Sequence, residues 1–139
     1  MDIKQGTKFL IQPRQLEIKI KRLEYEIEEL RTMLEPNAIR YDLDKVKTSP
    51  KDSMSEVFAR IDELESELIR TKEKKKRIFM KISQMFSELP ESPEKTILVG
   101  FYLHRLSMET IASDLNYNVK WCYKLRIKGI KQLKEIKDD

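Results

Sequence analysis

Between Pro13 and Pro36 the apolar positions are Leu16, Ile20, Leu23, Ile27, Leu30 and Leu34, with steps of 4, 3, 4, 3 and 4. That spacing predicts a helix with a heptad seam. Pro13 is placed to open it and Pro36 to close it. The same phase resumes at Met54 and runs through Val57, Ile61, Leu64, Leu68, Thr71, Lys75, Ile78, Ile82 and Met85 to Leu89. Ser53 with Glu56 makes an S-x-x-E capping box, which predicts the start of a second helix. Residues 36–52, which include Pro50, have no sustained period and read as a long loop.

The apolar part of the second seam, 54–71, matches the first seam, 16–34, in length, about 27 Å at 1.5 Å per residue. The first helix is therefore expected to fold back antiparallel on the first half of the second. Lys75 interrupts the seam, and the second half, Ile78–Leu89, is expected to pack on the C-terminal segment. The charges leave the pairing open. In a simple hairpin the acidic stretch Glu24–Glu29 faces a region near Arg60–Leu64 that is itself acidic. The basic run RTKEKKKR, Arg70–Arg77, is a better partner, reached through a shifted register or a dimer. Otherwise that run is a solvated face or a phosphate contact.

From Glu91 the period breaks into three short helical pieces. The first covers about Pro93–His104. The second begins at Ser107, a good N-cap, and buries Ile111, Ala112 and Leu115. Asn116 stands where a tight turn needs a left-handed residue, and Asn118 can cap a third helix running from Val119 toward Ile136. A short helix, a turn and a longer basic helix describe a helix-turn-helix. Ala112 allows a close crossing, and Ile111, Leu115, Cys122 and Leu125 form the wedge between the helices. At 100° per residue from Cys122, Lys120, Lys124 and Lys131 point outward, with Trp121, Tyr123 and Lys128 at the margins.

Charge sharpens this picture. The net charge of the 139 residues is only +4. Residues 118–137, however, hold seven Lys or Arg against one acid, Glu135. A local excess of that kind favours an acidic polymer as partner. Trp121 is either a partly buried anchor or a contact to sugar or base. Tyr123 either reaches a phosphate or packs locally, and Asn118 either reads adenine or only caps its helix. The apolar edge of the basic helix is needed to close the three-helix unit, which leaves little for a membrane surface.

Other chemistry has few carriers. Cys122 is the single cysteine, so an internal disulfide and a zinc finger are excluded. It reads as a core residue, and one cysteine suits a reducing cytosol. His104 is the single histidine and reads as a helix-end surface residue. There is no phosphate-binding glycine loop and no metal-ligand spacing, so no enzyme, cofactor or metal is expected. No apolar run approaches the roughly 20 residues of a membrane span, and MDIKQGTKFLIQPRQ lacks a signal-peptide core. A cytoplasmic protein is expected.

The segment from Glu88 to Leu133 resembles region four of bacterial sigma factors. It is still more similar to the C-terminal half of ArpU- and RinA-type transcriptional regulators of Gram-positive phages and prophages. The resemblance rests on L-S-x-E-x-I-A at Leu106–Ala112, L-N-Y-N at Leu115–Asn118, and C-Y-K-L-R from Cys122, where the family tends to show V-Y-R-L-H. Upstream, a charged helical half and a loop around Val46–Lys51 are similar too, so about residues 15–135 are covered. Asn116 replaces a usual glycine, Ile127 a small residue, and Lys120 and Trp121 are bulkier than in many relatives.

The resemblance implies control of phage or mobile-element genes, often late ones, through double-stranded DNA at a promoter and a contact with host RNA polymerase. The expected architecture is all-α: a helical hairpin or coiled coil over 1–89, joined by a long helix to a helix-turn-helix domain over 90–139. The DNA contacts expected are Lys120, Trp121, Lys124 and Lys128, with Ser107, Asn118, Tyr123 and Lys131. The heptad seams offer a homodimer interface. A small terminase-like packaging subunit, or a coiled-coil interaction module, are the alternative readings of the same pattern.

Overall fold

The computed structural model describes residues 1–35 and 50–135, with the side chains of 50–52 excepted. The described chain is all-helical. Its helices are α1 (Ile3–Leu10), α2 (Gln12–Met33), α3 (Pro50–Ser87), α4 (Pro93–Leu98), α5 (Met108–Leu115) and α6 (Val119–Gln132). Alpha4 continues directly into a π-helical turn, Val99–Leu103. The expected closing role of Pro36 and the loop over 36–49 lie outside the described residues.

Two starts differ from expectation. Pro50 is the first residue of α3 and not part of a loop. Ser53 is consequently inside the helix, so the Ser53–Glu56 capping box does not mark its beginning. The physical reason is that proline at a first helical position has its φ preset and lacks an N–H that would be unpaired there anyway. Residues 3–10 also form a helix, α1, whose start is capped by Asp2 accepting from the Gln5 N–H at 3.1 Å.

The chain forms two compact units, Arg14–Lys75 and Met1–Pro13 with Lys76–Asp139. This division replaces the expected one at residues 89 and 90. The C-terminal third of α3 and the whole of α1 bury their apolar residues with the C-terminal helices, so they belong to that unit.

In the first unit α2 and α3 pair antiparallel. Leu23, Ile27, Ile61 and Leu64 are buried, with Leu30, Leu34, Val57 and Leu68 against them. The unshifted hairpin register is the one adopted, and its charges agree with it. Glu26 meets Arg60 at 3.4 Å, Lys19 meets Glu67 at 3.1 Å, and Arg31 meets Glu65 at 2.5 Å. Lys19 holds the Glu67 carboxyl below its ordinary range by hydrogen bonding and charge. The seam lysine, Lys75, is paired with Glu17. Because the seam residues are consumed within one chain, the homodimer surface expected of the heptads is occupied while the hairpin exists.

In the second unit one cluster joins Leu10 of α1, Ile82 and Phe86 of α3, Leu98, Tyr102, and Ile130 of α6. The other joins Ile97, Met108, Ile111, Ala112, Cys122 and Leu125. Alpha6 lies between α1 and α4 at close range. A Cβ built on Gly129 would stand 2.9 Å from Leu98 Cδ1, and one built on Gly6 would stand 2.6 Å from Ile130 Cγ2. A side chain at either position would therefore have to displace Ile130 or Leu98, so both glycines mark a close helix approach.

Candidate nucleic-acid interface

The order of caps and turns places α6. Ser107 Oγ accepts from the Thr110 N–H at 3.1 Å and starts α5. Asn116 ends it in the left-handed conformation, φ 59° and ψ 38°. There the Tyr117 N–H donates to Ala112 O at 2.9 Å and the Asn116 N–H to Ser113 O at 3.2 Å. This pair of bonds is a Schellman motif, which asparagine enters at lower strain than most residues. Asn118 Oδ1 then accepts from the Trp121 N–H at 2.7 Å and starts α6. Ile111, Ala112, Cys122 and Leu125 are buried between the two helices as the wedge.

Packing of that wedge leaves the opposite face of α6 to solvent. Lys120, Lys124 and Lys131 are exposed, and none has an ion-pair partner among the described residues. Trp121 is 48% exposed and flanks them. No acid occurs between Val119 and Gln132.

The remaining expected contacts have intramolecular occupations. Asn118 uses its carbonyl oxygen as a cap, which competes with the bidentate geometry needed to read adenine. Ser107 also serves as a cap, with its hydroxyl 2.9 Å from that of Thr110. The Tyr123 ring packs locally, with the Arg126 guanidinium 6.0 Å from its centroid. Lys128 Nζ lies 3.4 Å from Glu94 Oε1 and is turned toward α4. Three of the eight expected residues thus form the bare cationic line, Trp121 borders it, Ser107 and Asn118 cap helices, and Tyr123 and Lys128 are exposed beside Arg126 and Glu94.

Two participants were missed by sequence reasoning. Arg126 donates to the Tyr102 hydroxyl at 2.7 Å and lies 5.9 Å from the centroid of Phe101, tying α6 to the π-helical turn. Ile127 stands exposed on the lysine face itself. The helical period of the basic segment already carried the signal for Ile127, because it falls at i+7 from Lys120 and i+3 from Lys124.

Glu94 couples the stability of its unit to pH. It is buried near the start of α4, beside the N-cap Ser92. Its own backbone N–H, the Lys128 ammonium and Ser92 hold its carboxyl below the ordinary 4.5, while burial opposes them. The folded state therefore favours the ionised form. That contribution is fully present above about pH 4.5 and disappears as the pH falls through the lowered folded value. Glu94→Gln is expected to lose about 0.5–1 kcal/mol at neutral pH and to show a flatter acid limb. Urea unfolding between pH 3 and 7 checks this; parallel curves for the two proteins would contradict it.

His104 is exposed at the end of the π turn, on the rim of a cleft of about 410 Å³ floored by Val99, Gly100 and Ile111. Cys122 is buried, and burial pushes its thiol above the ordinary range. Among the described residues no helix is long and apolar enough to cross a membrane.

No protein-family model matches this chain, and neither a curated protein nor a solved structure matches it.

Proposed function

We propose that the chain is a sequence-specific DNA-binding transcriptional regulator that inserts α6 in the major groove. The observation that carries this reading is the capped α5–turn–α6 unit with Lys120, Lys124 and Lys131 on its outer face, free of ion pairs among the described residues. The geometry suits the groove because α6 exposes a full helical face from its first turn onward. Lysines supply phosphate affinity and donate to guanine in the groove. Binding, not catalysis, is the activity proposed, and no cofactor is part of it.

The similarity to ArpU- and RinA-type regulators and to sigma region four supports phage, prophage or mobile-element genes as the regulated set, with RNA polymerase as a further partner. One unit of this size buries little DNA surface, so a polymerase contact or a second chain adds affinity. A second chain would need a surface other than the occupied heptad seam.

The test is selection of bound fragments from the source genome by purified protein at physiological salt, repeated with Lys120→Ala/Lys124→Ala. Enrichment of a promoter-proximal site that the double variant loses is the expected result. Enrichment beside packaging genes would point to a terminase role, and absence of enrichment would overturn the DNA-binding reading.

A further inference from the structure

Lys120, Lys124, Ile127 and Lys131 follow steps of 4, 3 and 4 on α6. At 1.5 Å per residue this line is about 16 Å long. Ile127 is 37% exposed and belongs to none of the buried clusters. The buried positions of the same helix are Cys122, Leu125, Gly129 and Ile130. Ile127 is thus an apolar residue set in the middle of a cationic line.

The chemistry available on that line is narrow. It holds no amide to read adenine bidentately and no carboxylate to accept from cytosine. Asn118 is committed to its cap, and Lys128 and Trp121 lie to one side. What remains is ammonium donors, which suit guanine O6 and N7, and one branched aliphatic group, which suits the thymine C5-methyl. Charge complementarity selects a polyanion as the occupant of this face, and in such a surface an aliphatic group needs an apolar feature to cover. In a DNA major groove that feature is the thymine methyl.

We infer that Ile127 is a specificity-determining residue that contacts a thymine methyl, so that the preferred duplex sets a thymine close to guanines read by the lysines. This rests on the DNA-binding reading above, and the experiment separates the two.

The full chain is used to select from a random-sequence duplex library made with thymine. The enriched duplex is then synthesised with each thymine replaced in turn by uracil, which removes only the methyl group. One position is expected to weaken binding about fourfold, the worth of one methyl group removed from water. Ile127→Ala is expected to weaken binding to the thymine duplex by the same factor and to be indifferent to uracil at that position. Its thermal unfolding is measured alongside, and the uracil scan, which uses the unaltered protein, decides the matter if the variant is unstable. An enriched motif with no uracil-sensitive position overturns the role of Ile127 and leaves DNA binding standing. Equal weakening of Ile127→Ala on thymine and uracil duplexes also overturns it. Failure to enrich any motif overturns the DNA-binding reading itself and this inference with it.

Discussion

Phe86→Ala is expected to destabilise the unit that carries α6 by about 3–5 kcal/mol, the usual effect of deleting a fully buried aromatic ring. Phe86 is 1% exposed. Its cluster gathers Leu10 from α1, Ile82 and Leu89 near the end of α3, and Leu98, Ile130 and Leu133 from the C-terminal helices. Its ring centroid is 6.4 Å from that of Tyr102 in a tilted arrangement. Removing it leaves a cavity bordered by several helical segments at once, which limits how far they can collapse to fill it. A domain's total stability is about 5–15 kcal/mol, so much of it would be gone. Phe58→Ala on the same helix is the control: Phe58 is 51% exposed, and its loss should change stability by about 0.5 kcal/mol or less. Urea unfolding followed by circular dichroism and by the single tryptophan, Trp121, reads both. Similar midpoints for the two variants would refute the assignment of Phe86 to the core.

The second large effect, expected on the proposed DNA-binding function, concerns salt. Each lysine that neutralises a DNA phosphate contributes a slope of about 0.9 to the dependence of log affinity on log salt. Lys120→Ala/Lys124→Ala/Lys131→Ala should therefore reduce the magnitude of that slope by up to about 2.7. At 0.15 M salt the lost counterion release corresponds to roughly 100-fold weaker binding. Lys128→Ala should reduce the slope less than any one of the three, because its ammonium faces Glu94 at 3.4 Å. Titrations of a labelled duplex from 50 to 300 mM salt measure all of this. A triple variant with the wild-type slope would move the DNA contact away from this face.

The parts of the fold that were legible in the sequence are those decided locally. The heptad spacing from Leu16 to Leu34 and from Met54 to Thr71 named the hairpin, because burial of one stripe is a property of each helix alone. Ser107, Asn116 and Asn118 cap and turn through bonds that span five residues or fewer, so their roles could be read directly. What failed was tertiary or competitive. Pro50 and Ser53 are both start signals, and pattern alone ranked the capping box above the proline. Alpha1 has eight residues, one of them Gly6, and its stability comes from Ile130 and other residues far along the chain. Lys128 lay on the margin of the face by angle, but its partner Glu94 sits on another helix that no helical wheel includes. The register of the hairpin was ambiguous from blocks of charge, yet the individual pairs Glu26–Arg60 and Lys19–Glu67 satisfy it.

The unit bearing α6 is built from two distant stretches of chain, with Arg14–Lys75 intervening. Its cores join Leu10 to Ile130 and Leu133, so closing them brings together residues more than a hundred positions apart. Contacts of such long range slow folding, because the loop entropy is lost before the contacts repay it. During synthesis α1 waits until α6 has been made, and meanwhile the hairpin, whose contacts lie nearer in sequence, can form first. The exposed lysine face of α6 is then set in place later than the hairpin, and a nascent chain interrupted before α6 does not carry it.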